Sequence, residues 1–213
     1  MEGFTFNEIM LGSTQLYLCA YSEFDPLEYT KYLTDIEKQR FFSFKHINRR
    51  REFVVTRILR HRVFGFEHIH YDPHGAPYIK DEGYISISHC KNMVGLALNK
   101  EYKIGLDLES PRENILDIKS KFLSTRELLH FDVMNKLDVT KIWSAKEALY
   151  KLAGRKKIHF KTELLLSKDE KGHWLGQIVN PKNGIFVKLN IFELQGVIVS
   201  INSEQIVKKS RNI

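Results

Sequence analysis

The sequence predicts an α+β fold of two similar lobes. Two observations lead there. Segments with a helical repeat of apolar residues are distinct from segments that alternate in the manner of strands. Helices followed by strands also occur twice along the chain. Letter identity between the halves is too low to establish a repeat by itself. With 213 residues the chain can bury a sizeable core as one domain or two small ones. The division is expected near residue 110, giving an N-terminal lobe over 1–110 and a C-terminal lobe over 111–213.

Gln15 to Ala20 reads as a strand. Thr34 and Glu37 form a capping box that opens a helix running through Lys38, Arg40 and Phe42. Asn48 is expected to cap a second helix, Arg49 to Phe64, with Phe53 and Ile58 on its core face and Gly65 at its end. Phe41, Phe42 and Phe44 are also expected in the core. Asp72-Pro73-His74-Gly75 reads as a turn. Strands follow at Ile85–Ser88, Met93–Asn99 and Lys103–Glu109, the first two split by a turn at Cys90-Lys91-Asn92. In the second half, Ser124 to Glu127 opens a helix reaching about Met134, and a longer helix runs from about Val139 to Ala153, stopping at Gly154. Strands are expected near Glu163–Ser167, Trp174–Ile178, Ile185–Phe192 and Val197–Asn202. The tail from Lys208 to Ile213 is expected to be disordered.

Two of these elements carry chemistry. In the strand Ile104-Gly105-Leu106-Asp107-Leu108-Glu109, alternation sends Ile104, Leu106 and Leu108 to one face and Gly105, Asp107 and Glu109 to the other. Two carboxylates therefore share a face, and the Gly leaves room for something bulky. In the helix, Ile142, Ala145, Leu149 and Leu152 form the apolar stripe, and Trp143, Glu147 and Lys151 line the opposite one. Taken singly, each stretch has a plain reading: an acidic strand end, and a solvated face with an ion pair worth a few tenths of a kcal/mol. Taken together, three carboxylates suit a hard, oxygen-loving cation, and the lysines beside them suit a phosphate.

Gly105-Leu106-Asp107-Leu108-Glu109 resembles the G-(I/V)-D-(I/V/L)-E signature of the 4′-phosphopantetheinyl transferases, and Trp143 to Lys151 resembles their (F/W)-(S/T/C)-x-K-E-(A/S)-x-x-K signature. Gly75-Ala76-Pro77, Ile85 to His89 and Phe122 to Glu127 resemble three further segments of that family, in the right order. The length resembles the larger, monomeric class, typified by the surfactin-synthetase-activating enzyme. Two departures stand out: Ala76 replaces the usual Lys, and Ser86 replaces the usual Asn. The first removes a phosphate or nucleotide contact and bears on coenzyme A affinity rather than on the class of reaction.

The resemblance implies a pseudo-twofold architecture with the active site in the cleft between the lobes, the strand of Asp107 and Glu109 closing the first lobe. It implies transfer of 4′-phosphopantetheine from coenzyme A to a serine of an acyl or peptidyl carrier protein, with Mg²⁺, releasing 3′,5′-adenosine bisphosphate. Asp107, Glu109 and Glu147 would be the metal ligands. Glu147 and Lys151 would be catalytic, as base and as stabiliser of transition-state charge. Arg51, Ser88, His89, Lys146 and Lys151 would bind coenzyme A, with Arg49 and Arg50 competing with Arg51 in the register and Lys146 being either a phosphate contact or a contact within the lobe.

Composition bounds the alternatives. A formal net charge of +7 calls for an acidic partner. Charge alone does not choose among nucleic acid, anionic lipid, a phosphorylated ligand and an acidic protein; the resemblance implies coenzyme A and an acidic carrier protein, without nucleic acid or membrane. Cys19 and Cys90 are too few for a disulfide framework, and no secretory signal is visible at Met1-Glu2-Gly3-Phe4, so a reducing cytoplasm is expected. No apolar run is long enough to span a bilayer. A basic nucleic-acid-binding module is prompted by Arg49-Arg50-Arg51 but gives Asp107 and Glu109 no use. A metal-dependent coenzyme A phosphohydrolase would share the metal site, and a degenerate, non-catalytic member would only bind. His68, His70 and His74 have loose metal-like spacing without a surrounding donor set, and a surface strand and turn is expected there. Arg155-Lys156-Lys157 with Lys161 is a basic loop that could receive an acidic carrier helix.

Overall fold

The computed structural model describes residues 2–154, 157–179 and 184–203, with the backbone alone of 207–208. It is a mixed α+β fold with two larger antiparallel sheets flanked by helices. The chain divides into two compact units, Met1–Lys100 and Glu101–Ile213. Residues 155 and 156 of the basic loop and 209–213 of the tail lie outside the described residues.

The first unit contains β1 (Phe4–Leu11), β2 (Thr14–Tyr21), α1 (Asp35–Ser43), α2 (Ile47–Phe64), β3 (His70–Tyr71), β4 (Pro77–Tyr78), β5 (Tyr84–Cys90) and β6 (Met93–Asn99). Its four-stranded sheet runs β1-β2-β6-β5, antiparallel throughout. Apolar residues recur along α2 at helical spacing. Val55 and Leu59 pack against Cys19, Val94 and Leu96 of the sheet, while Val54 and Ile58 meet Leu33 and Phe41. Phe42 is exposed, contrary to expectation, because it follows Phe41 by one helical step and so faces away from that cluster.

The second unit contains β7 (Leu106–Glu109), α3 (Ile115–Ile118), α4 (Thr125–His130), α5 (Lys136–Ala153), α6 (Phe160–Glu163), β8 (Leu164–Lys168), β9 (Trp174–Ile178), β10 (Ile185–Leu194), β11 (Val197–Asn202) and β12 (Val207–Lys208). The sheet runs β7-β11-β10-β9-β8, with β12 also pairing β10. β7 does not close the first lobe. It pairs antiparallel with β11, Asp107 opposite Ser200 and Glu109 opposite Ile198, and buries Leu106 and Leu108 in this unit. The first compact unit ends at Lys100 and the second begins at Glu101.

α5 is the spine of this unit. Asn135 caps it by accepting from the amides of Leu137 and Asp138, and Gly154 ends it in the left-handed conformation that a residue with a Cβ resists. Its Ile142, Ala145, Leu149 and Leu152 are buried, each larger aliphatic chain contributing about 1.5–3 kcal/mol against exposure.

One device occurs in both units. Thr34 and Glu37 form a capping box at the start of α1, and Ser124 and Glu127 form one at the start of α4. In each case the glutamate is buried and meets a buried cation from the long helix. Arg60 reaches Glu37 at 3.3 Å and the Tyr32 carbonyl at 2.7 Å, and Lys146 reaches Glu127 at 2.8 Å and the Phe122 carbonyl at 2.7 Å. Tyr32 and Phe122 both stand two residues before the cap.

Candidate active site

Strand β7 and helix α5 run past each other in opposite directions. At one end, a Cβ on Gly105 would lie 2.1 Å from the Ala148 carbonyl oxygen, so only glycine allows this approach. The space beside the carboxylates is therefore filled by the backbone of α5 rather than kept for a ligand. At the other end, Trp143 Nε1 donates to Glu109 Oε2 at 3.0 Å. Between them, Lys151 Nζ donates to Asp107 Oδ1 at 3.0 Å and to the Leu106 carbonyl at 2.8 Å. Glu147 shares its face of α5 with Trp143 and Lys151.

The charges act on one another. Burial pushes the Glu147 carboxyl up to about 7, with Asp107 and Glu109 adding to the rise and Lys151 opposing it. Glu109 is raised too, chiefly by burial. Arg112 and Lys151 oppose that rise, as does the Trp143 bond, while Asp107 adds to it. Among the described residues no three His, Cys, Asp or Glu side chains stand together closely enough to hold a metal ion as they are. Asp107 is bound to the Lys151 ammonium and Glu109 to the Trp143 indole. The donors themselves fit a hard cation, since all are carboxylate oxygens and their mutual repulsion is what a cation relieves.

Lys146 does not belong to this set. It is fully buried, and its ammonium donates to Phe122 O, Glu127 Oε2 and Phe160 O at 2.7, 2.8 and 2.9 Å. All three protons are thus used inside the fold, which favours the lobe contact over the phosphate contact of the two readings the sequence leaves for Lys146. Burial lowers its pKa, against the pull of Glu127.

The remaining expected residues lie in the first unit. Arg51 is not the arginine beside His89. Its Nε donates to the Phe24 carbonyl at 2.9 Å and its Nη1 to Asn48 Oδ1 at 3.1 Å. Arg49 Nη1 instead stands 2.7 Å from His89 Nε2 and 2.8 Å from Glu52 Oε2. Arginine only donates, so His89 Nε2 accepts, leaving its Nδ1 proton toward Glu52 Oε2 at 3.5 Å. Ser88 is buried, and strand alternation turns it to the face of β5 opposite His89. Asn48 does not cap α2. The cap position is His46, without a side-chain bond. His68 and His70 make an edge contact, and His70 stacks on Tyr78 across the β3–β4 pair.

Residues 103–190 match the family model of the 4′-phosphopantetheinyl transferase superfamily. That span contains Asp107, Glu109, Glu147 and Lys151 and excludes Arg49, Arg51, Ser88 and His89. No curated protein matches the chain. Among the described residues, no helix is long and apolar enough to cross a membrane.

The run of arginines at the start of α2 leaves Arg49 and Arg50 competing with Arg51 in the register, because each helical step turns by about 100° and only one can face a given neighbour. In the structure Arg49 is the one beside His89. Arg112, which acts on Glu109, was not among the expected site residues.

Proposed function

We propose that the chain transfers 4′-phosphopantetheine from coenzyme A to a serine hydroxyl of an acidic carrier protein, in an Mg²⁺-dependent reaction. The observation that carries this reading is the meeting of Asp107, Glu109 and Glu147 with Lys151 on β7 and α5, inside the span that matches the superfamily.

The serine oxygen forms a bond to the pantetheine-side phosphorus, and the bond from that phosphorus to the bridging oxygen breaks. 3′,5′-Adenosine bisphosphate leaves with that electron pair. Such transfers are governed by positioning and by charge on phosphate oxygens. Asp107, Glu109 and Glu147 would hold the cation, which supplies charge neutralisation at the pyrophosphate. Trp143 fixes Glu109. Glu147, or a water held by it, takes the serine proton. Lys151, already oriented by the Leu106 carbonyl, stabilises the charge that develops on the pyrophosphate.

The 3′-phosphate end falls to His89 with Arg49 in this reading, Arg49 replacing Arg51. Two free cysteines accord with a reducing cytoplasm. The larger, monomeric class remains the expected subtype.

Release of 3′,5′-adenosine bisphosphate, followed by chromatography, tests the reading. It is expected to require both an apo carrier and Mg²⁺, and to vanish in Asp107→Ala and Glu147→Ala. Release without any carrier would replace this reading with the phosphohydrolase.

A further inference from the structure

The face of β11 that packs beside Asp107 carries two polar residues in an otherwise apolar strand. Pairing sets Ser200 directly opposite Asp107. Side chains of directly opposed residues in an antiparallel pair share a face, with Cβ atoms about 4.5–5.5 Å apart. One step along, on the same face, Asn202 accepts from the Gly105 amide at 2.8 Å and donates to the Lys103 carbonyl at 3.0 Å. Asn202 is thus accounted for by backbone bonds. Ser200 is not. It is fully buried between Val199 and Ile201, and its hydroxyl has no hydrogen-bond partner among the described residues. Ser144 of α5 is in the same condition, fully buried with an unmet hydroxyl. It lies one residue from Trp143, which holds Glu109, and one helical turn before Ala148, which abuts Gly105.

A buried hydroxyl without a partner carries a desolvation cost that an alanine would avoid. Its place beside a carboxylate gives it a use. Carboxylates that ligate metals are themselves hydrogen-bonded by neighbours that fix their orientation. In the arrangement described, the Asp107 carboxylate is turned to Lys151.

We propose that Ser200 is a positioning residue for Asp107, its hydroxyl donating to the carboxylate when that carboxylate turns from Lys151 to hold a divalent cation. The proposal rests on the metal reading of Asp107 given above. Ser200 touches neither coenzyme A nor carrier. It acts by holding one ligand in the orientation that the cation requires, and Ser144 supplies a second hydroxyl on the helix that packs over the same strand.

The test is Mn²⁺ alone, titrated into the full chain, with free Mn²⁺ read by electron paramagnetic resonance, for wild type, Ser200→Ala, Ser200→Thr and Asp107→Asn. Ser200→Ala is expected to weaken Mn²⁺ binding by about 10- to 100-fold while its thermal midpoint stays at or above that of wild type, and Ser200→Thr, which keeps the hydroxyl, to restore binding. Binding by Ser200→Ala within twofold of wild type, with Asp107→Asn defective, would overturn the role of Ser200 and leave the metal reading standing. Equal binding by wild type and Asp107→Asn would overturn both.

Discussion

Lys146 and Arg60 do the same work in the two units: each satisfies a buried capping-box glutamate and the carbonyl two residues before the cap. Lys146 does so for Glu127 and Phe122, and Arg60 for Glu37 and Tyr32. In the signature helix the two lysines therefore part company. Lys146 builds the fold, and Lys151 faces the carboxylates.

Lys146→Ala should unfold the protein rather than impair a folded enzyme. Removing one partner leaves the Glu127 carboxylate buried without its cation, although the Ser124 and Leu166 amides still donate to it, at a cost of about 3–5 kcal/mol. Urea denaturation of Lys146→Ala and of the double variant with Glu127→Gln checks this, the double variant being expected to recover part of the loss.

Glu37 gives a pH dependence of definite sign. Burial raises its carboxyl, but the Thr34 amide, Arg57 and Arg60 outweigh burial and hold it below its usual value of 4.5. A folded pKa below the unfolded one means stability that is present above the unfolded value and is lost as pH falls through the folded one. Denaturant titrations from pH 7 downward should show an acid limb below about 4.5 that flattens in Glu37→Gln, which is also less stable at pH 7.

Gly105→Ala places a methyl group 2.1 Å from the Ala148 carbonyl, a backbone atom that cannot rotate away. The expected loss is about 1–3 kcal/mol or more, accompanied by lost transfer, because Asp107 and Glu109 move with β7. Thermal melting and transfer assays on the same sample measure both.

Arg49→Ala and Arg51→Ala should separate. Arg49 stands beside His89, so its loss should raise KM for coenzyme A about tenfold, and that penalty should vanish with dephospho-coenzyme A, which lacks the 3′-phosphate. Arg51 is bound to the Phe24 carbonyl and Asn48, so its loss should lower the melting temperature and leave KM nearly unchanged.

Lys151→Ala should lower kcat more than it weakens coenzyme A binding, since its proposed role lies in the transition state. Steady-state kinetics beside calorimetric binding reads the difference. An equal loss in both would assign Lys151 to ground-state recognition.

What could be read from the chain in advance was what depends on near neighbours. The alternation that puts Asp107 and Glu109 on one face, the stripe of Trp143, Glu147 and Lys151, the Thr34 capping box and the Gly154 stop are all local patterns, and the structure has each of them. What could not be read depends on partners distant in sequence. β7 is placed by β11, and nothing within Leu106–Glu109 names that strand. Lys146 looks like any helix lysine until Phe122, Glu127 and Phe160 close around it. Arg49 and Arg51 differ only in which way a helix turn points them. Ser200 gives no sign of its neighbour until the register is known.

Intact-protein mass spectrometry of an apo carrier incubated with the chain, coenzyme A and Mg²⁺ reads phosphopantetheine transfer itself. The carrier is expected to gain the mass of one phosphopantetheine, and the gain to be abolished by EDTA and by Asp107→Ala. An unchanged carrier mass across a panel of fatty-acid, polyketide and peptide-synthetase carriers would contradict it.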